Sequence, residues 1–300
     1  MNDSTISNDS RLVVIQRNPR SGSGAGRKEL LILVRELRLA GFVVRMFRSR
    51  SMLDSWLAMP EKRRRLRCIV AAGGDGTVAD IVNRFPGCPV AVLPLGTENL
   101  LAQYLNIPRC GSALAKIVIA GRTRTLDSAM ANHQRFLLML SAGIDGNIVH
   151  AIHANRTGTI RRVGYVWPTL RAFLWSGLTL ICAATPDGKH SATGTHVIVT
   201  NIPRYGFGLR FSPEATPDDG LLNIRVYHGT TRSRIFWHAI RLKLGLPIQS
   251  REYTKFTATH VVLEPHGQAL ISGVQADGDP CMPLPVCVAI QPASLRLLVR

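Results

Sequence analysis

Acidic side chains are scarce in this chain. Its 300 residues hold 19 Asp and Glu against 37 Lys and Arg, a net charge of +18 at neutral pH. Such an imbalance points to an anionic partner: nucleic acid, an anionic membrane surface or phosphorylated molecules. No nucleic-acid motif and no basic helix with spaced base-reading residues is present, so no nucleic-acid partner is expected. Cysteine pairs are also missing. Cys68, Cys88, Cys110, Cys182, Cys281 and Cys287 are scattered without a C-x-x-C. They read as reduced, mostly buried thiols of a cytosolic protein, and a structural zinc site is disfavoured.

Long apolar runs are lacking too. Met1 to Ser10 has no apolar signal core. The most apolar stretch, Ala172 to Ala184, is interrupted by Gly177 and bordered by Arg171. It falls short of the ~20 residues that a spanning helix needs. A buried helix followed by a strand is expected there, so membrane contact would be peripheral. Two common phosphate loops are excluded as well. Arg27 breaks the frame of a Walker loop after Gly22, and it stands where G-x-G-x-x-G needs its third glycine.

What the chain does have is core: 46% of its residues are apolar, which excludes global disorder. Leu12 to Gln16, Phe42 to Phe47, Cys68 to Ala72 and Pro89 to Leu93 read as strands. Arg27 to Leu39, Val78 to Phe85 and Leu100 to Leu105 read as helices. Alternation of this kind predicts a mostly parallel α/β sheet. Past Thr125 the pattern changes. Arg135 to Ser141, Thr195 to Thr200, Leu221 to His228, Thr257 to Glu264 and Val286 to Gln291 read as strands of an antiparallel sandwich. Helices are expected at Arg161 to Trp175 and Arg232 to Leu244. The expected division is a three-layer α/β domain over 1–127 and a β-sandwich over 128–300.

Three polar, glycine-containing loops follow the first-domain strands: Asn18 to Gly24, Gly73 to Thr77 and Pro94 to Asn99. Ligands bind beyond the carboxyl ends of such strands, and glycine lets backbone N–H groups approach a phosphate. Asp75 is a carboxylate among the glycines. Beside phosphates it needs a metal or a proton as mediator, which suggests Mg²⁺ held directly or through water. A plain strand-to-helix turn with Asp75 as N-cap is the other reading. His133, His150, His153, His190 and His196 show no metal spacing and read as surface or satisfied side chains.

The segment Gly73-Gly74-Asp75-Gly76-Thr77 resembles the signature of the diacylglycerol kinase and sphingosine kinase superfamily, which NAD kinases share. Other segments resemble that superfamily in the same order: Asn18-Pro19 with Ser21-Gly22, Pro94-Leu95-Gly96-Thr97 with Asn99, and Ser141 to Asp145. Asn201 with Gly206 to Gly208, Pro213 to Leu222 and Asp277-Gly278-Asp279 continue the series. The likeness runs from about residue 12 to the C-terminus and favours the lipid kinases over the NAD kinases.

The resemblance implies a soluble ATP-dependent kinase that phosphorylates a lipid hydroxyl, diacylglycerol or a sphingoid-like lipid. ATP and the hydroxyl would meet in the cleft between an α/β domain and a β-sandwich, with the last strand as a candidate to return to the first domain. It implies that Asn18, Ser21, Gly22, Gly73, Gly74, Asp75, Gly76, Thr77, Gly96, Thr97 and Asn99 line the nucleotide site. Asp219 would hold Mg²⁺ with backbone oxygens of Thr216 and Leu221, and Asp279 would be the proton acceptor, with Asp75 the second catalytic carboxylate.

Three positions depart from the family pattern. Leu100 replaces its usual Asp, with Glu98 close by. Asp279 stands for its usual Glu. Phe47 or Ser49 falls where its second strand carries Thr. A NAD kinase-like enzyme, or a catalytically weak lipid- or anion-binding pseudokinase, are the competing readings.

Arg63, Arg64, Arg65 and Arg67 form one basic cluster, and Arg161, Arg162, Arg171, Arg232, Arg234, Arg241 and Lys243 add others. At an anionic membrane each contributes ~1 kcal/mol, so a cytoplasmic, peripherally membrane-associated protein is expected. Arg161 to Trp175 fits an interfacial helix or one packed on the sandwich.

Overall fold

The structure is a computed structural model describing residues 3–6, 10–18, 24–154, 177–229, 231–267 and 273–300. The chain divides into two units, Met1–Leu126 with Ala293–Arg300, and Asp127–Pro292.

The first unit begins with β1 (Asp3–Thr5), β2 (Leu12–Arg17), α1 (Gly24–Leu39) and β3 (Val43–Phe47). Then come α2 (Arg50–Leu57), α3 (Pro60–Arg64), β4 (Leu66–Gly73), α4 (Asp75–Arg84) and β5 (Val90–Pro94). Next are α5 (Leu100–Tyr104), α6 (Gly111–Ala120) and β6 (Arg122–Ala131), which runs on into the second unit. The sheet is parallel in the order β5-β4-β2-β3. Every residue of β4 and β5 is buried, as expected of strands covered on both faces. Helical spacing puts Leu30, Leu33 and Leu37 of α1 into the core, and Val78, Ile81 and Val82 of α4 likewise. Arg17 pairs with Ala72 and Gly73 with Pro94, so three strands end level with one another. That places the loops after β4 and β5 side by side, with Asn18 at the end of β2 next to β4.

Arg67 leaves the basic cluster expected from the sequence. Its side chain is 1% exposed. It donates to the carbonyls of Ile6, Val118 and Ile119 at 2.9, 3.0 and 2.7 Å. Its position in β4 turns it inward, where a buried guanidinium must find acceptors.

The second unit continues with β7 (Gln134–Phe136), β8 (Met139–Ala142), α7 (Ile144–Ala154), β9 (Ile181–Ala184) and β10 (Ser191–Gly194). β11 (His196–Thr200), β12 (Leu222–Tyr227), α8 (Arg232–Lys243) and β13 (Tyr253–Ala258) follow. It closes with β14 (His260–Pro265), β15 (Val274–Ala276), β16 (Asp279–Pro280) and β17 (Val286–Leu298). One antiparallel sheet runs β13-β12-β11-β8-β15-β16, and β10-β9-β14-β17 form the other face. Leu140, Val197, Val199, Ile224 and Val226 of the first pack with Ile181, Val261, Leu263 and Val288 of the second. This is the antiparallel, sandwich-like domain expected. From Ala293 the last strand belongs to the first unit, where Leu297 pairs in parallel with Val90.

Two expected strands are each two. Thr257 to Glu264 turns a corner at Thr259: β13 pairs with β12 in one sheet and β14 with β17 in the other. Both halves are β-formers, so composition hides the corner. Arg135 to Ser141 breaks at Leu137 and Leu138, whose amides go to a side chain instead of a neighbouring strand. The helix expected at Arg161 to Trp175 lies outside the described residues. Among the described residues no helix is long and apolar enough to cross a membrane.

Candidate functional site

The loop after β4 and the loop after β5 touch backbone to backbone. The carbonyl of Gly73 accepts the amides of Leu95 and Gly96 at 2.8 and 3.2 Å. A Cβ added to Gly96 would lie 2.5 Å from the Cα of Gly74, and one on Gly73 would collide with the Thr77 hydroxyl. None of these glycines has positive φ, so close approach and not backbone freedom requires them. Asn99 closes the third loop on itself. It sits at φ 54° and ψ 51°, a left-handed conformation that Asn tolerates. Its Oδ1 accepts the Gly96 amide and its Nδ2 donates to the Gly96 carbonyl, both at 2.9 Å. Asn18 donates its amide to the Ala72 carbonyl, which ties the first loop to β4. Ser21 and Gly22 lie outside the described residues. Gly76 and Thr97 are exposed, whereas Thr77 is buried.

Asp75 opens α4, yet its carboxylate serves a different helix. Oδ2 accepts the amide of Leu100 at 2.8 Å and Oδ1 that of Leu101 at 3.1 Å. These are N-terminal amides of α5, which no carbonyl of that helix reaches. Burial raises the Asp75 carboxyl above its ordinary value. The two amides pull it down, and the nearby Glu98 charge pushes it further up. The side chain of Leu100 is 5% exposed, so the carboxylate usual in the family is replaced here by core.

In the second unit, Thr216 to Leu221 form a turn before β12. Asp219 accepts the Thr216 hydroxyl at 2.7 Å and the Leu221 amide at 2.9 Å. Asp127 holds the turn from below, with Oδ2 accepting the Gly220 amide at 2.8 Å and its own amide donating to the Pro217 carbonyl. The available donors are oxygens, the set a hard cation takes. Among the described residues, no three His, Cys, Asp or Glu side chains cluster as a metal cage. By its chemistry the turn offers one carboxylate and carbonyl oxygens, and water would have to complete the shell of a hard cation there.

Asp279 is exposed at the start of β16. The loop before it is held by two side chains. Asp277, at φ 52°, accepts the amides of Leu137, Leu138 and Met139 at 2.6, 2.8 and 3.0 Å. Gln275 Oε1 accepts the Gly278 amide at 2.8 Å, while its Nε2 donates to Ser141 Oγ at 2.6 Å. Behind them is a buried network that includes Asp145. Tyr205 donates to Asp145 Oδ2, and His196 Nε2 lies 2.9 Å from Oδ1. Burial alone would raise the Asp145 carboxyl. The His196 charge, the polar contacts of His196 and Ser141 and the Tyr205 hydrogen bond outweigh it, holding the group down at about 2. Asn201, fully buried, donates to the carbonyls of Asp127 and Leu137 at 2.9 and 2.8 Å. Sequence reasoning assigned Asp127, Gln275, Asp277, Tyr205 and His196 no role. Only Asp277 lies inside a quoted motif, and the amides that it accepts are distant in sequence.

Residues 11–131 match the family described as the diacylglycerol kinase catalytic domain, and residues 139–299 match the YegS C-terminal NAD kinase beta sandwich-like domain. The chain belongs to this lipid kinase family. It is 26% identical over 243 residues to the Mycobacterium tuberculosis protein named "Diacylglycerol kinase", covering 77% of this chain and 76% of that one. It is 25% identical over 214 residues to the Serratia proteamaculans "Probable lipid kinase YegS-like", covering 69% and 70%. A Bacillus anthracis diacylglycerol kinase structure superposes with a TM-score of 0.71 at 20% identity, over 98% of each chain. Yeast NADH kinase gives 0.55 at 14% identity, over 98% of this chain and 84% of that one. Both structures share the fold.

Proposed function

We propose that this chain transfers the γ-phosphoryl group of ATP to a hydroxyl of a lipid, diacylglycerol or a sphingoid-like lipid. The observation that carries the reading is the backbone contact of Gly74 with Gly96, in a chain of a kinase family. With glycine at both points of contact the two loops lie close enough for backbone N–H groups to reach one polyphosphate, an approach that a Cβ at Gly96 would force apart. In this reading Asn18, Ser21, Gly22, Gly73, Gly74, Gly76, Thr77, Gly96, Thr97 and Asn99 form the nucleotide site. Asp75 shapes it by fixing the start of α5. Asp219, with carbonyl oxygens of Thr216 and Leu221, would hold Mg²⁺, which offsets phosphate charge. Asp279 takes the proton of the attacking hydroxyl. It is one methylene shorter than the family's Glu, and misplacement of a base by about 1 Å costs ~10²-fold in rate. The protein works in the cytoplasm in peripheral contact with anionic membranes.

The test is transfer from labelled ATP with magnesium to a panel of diacylglycerol, sphingoid bases and NAD. Asp279→Ala should lose at least ~10²-fold in kcat, and Asp279→Glu should match or exceed the wild type. Label appearing on NAD alone would move the chain to the NAD kinases. ATP left unconsumed with every acceptor would reduce the family likeness to ancestry.

A further inference from the structure

Helix α8 carries four basic residues and no acidic one. Of its side chains only His238 is buried, in contact with the Tyr227 ring at 5.7 Å and 3.3 Å from Glu252. Leu242 packs beside it on Ile198, Phe211 and Ile248. This is the inward face. On the outward face Phe236 is 55% exposed and Trp237 60%, their rings 6.3 Å apart. Leu244 and Leu246 extend the apolar surface past the helix end, 68% and 48% exposed.

A helix advances about 100° per residue. Phe236, Trp237, Ile240 and Leu244 therefore share one stripe. Arg232 and Lys243 border it on one side, Arg234 and Arg241 on the other. Arg241 donates Nε and Nη2 to the Pro247 carbonyl at 3.0 and 2.8 Å, an acceptor that leaves its charge in place. An aromatic stripe between two basic rims suits a bilayer interface, where rings sit at headgroup level and guanidinium groups meet lipid phosphates. A second copy of the chain fits it poorly. Pairing two such faces would bring like-charged rims together in a protein of net charge +18.

We propose that α8 is the membrane-docking element. Phe236 and Trp237 enter the headgroup and acyl boundary of an anionic bilayer, and Arg232, Arg234, Arg241 and Lys243 contact its phosphates. The inference gives a surface to the membrane contact put forward above, and it does not depend on catalysis.

The full chain is sedimented with vesicles of phosphatidylcholine, with and without phosphatidylglycerol, in the absence of ATP. The double variant Phe236→Ser with Trp237→Ser should partition onto anionic vesicles at least ~10-fold less. Arg234→Glu with Arg241→Glu should lose the preference for phosphatidylglycerol. Trp237→Phe should keep binding and lose much of the blue shift in tryptophan emission. Turnover of a short-chain, monomeric diacylglycerol should be unchanged in all three, while turnover on vesicles falls with binding. Wild-type vesicle binding by the serine double variant overturns the proposal. So does a dimer in light scattering that the double variant dissolves, since the face would then meet another copy. A chain inactive on every lipid would defeat the kinase reading and leave the sedimentation result standing.

Discussion

The carboxylate of Asp75 accepts the amide of Leu100 at 2.8 Å, joining the loop after β4 to the helix after β5. One side chain thereby sets the spacing of two loops assigned to the nucleotide. Asp75→Ala leaves the amides of Leu100 and Leu101 without their acceptor. The expected loss is on the order of 2 kcal/mol, or roughly 5 °C in Tm. Asp75→Asn keeps one oxygen acceptor and should fall between. Thermal denaturation of the three proteins measures this, and an unchanged Tm in the alanine variant refutes the bracing role.

Gly96→Ala tests the backbone contact. Its Cβ would lie 2.5 Å from the Cα of Gly74, so the loops must part. Affinity for a non-hydrolysable ATP analogue should fall at least ~10-fold, because a displaced backbone donor loses its phosphate. Calorimetric titration reads it directly. Equal affinity would mean that the phosphates lie elsewhere.

Asp277→Ala removes the acceptor of three consecutive amides, those of Leu137, Leu138 and Met139. The cost should be roughly 3 kcal/mol, larger than for the neighbouring exposed Asp279→Ala. Denaturant unfolding of both variants gives the comparison. Equal midpoints would show that water replaces the carboxylate at no cost.

Asp145 predicts an acid limit. Its folded value is held down at about 2, below the ordinary 3.8. A depressed carboxyl stabilises the fold above its unfolded value and loses that contribution as pH falls through the folded one. About 2 kcal/mol should therefore disappear between roughly pH 4 and pH 2. In Asp145→Asn the slope over that window should flatten, and stability near neutrality should be lower. A pH series of melts decides it. Parallel curves for wild type and variant would locate the acid sensitivity in other groups.

Much of the fold was legible because its signals are local. β-Branched runs such as Leu12 to Gln16 and Cys68 to Ala72 marked buried strands, and glycines marked their exits. The split of Thr257 to Glu264 was not legible, since a strand gives no sign of which sheet it joins. Arg67 looked like surface charge among Arg63 to Arg65, and only tertiary carbonyls reveal its burial. For the proposed site, motif order pointed to the loops, but the partners of Asp75 and Asp277 lie far along the chain. A spacing of 25 residues or of 139 carries no periodic signal. Helix α7 was missed because its first turn sits within a motif read only for likeness.

The grip of Asn99 on Gly96 has a thermodynamic consequence. Asn99 holds both the amide and the carbonyl of Gly96, and the Gly73 carbonyl shares the amide, so the loop's shape is set before any ligand arrives. The entropy lost in ordering it belongs to folding, leaving the encounter itself unburdened. Association there should therefore be quick and nearly rigid, with little heat-capacity change from loop closure.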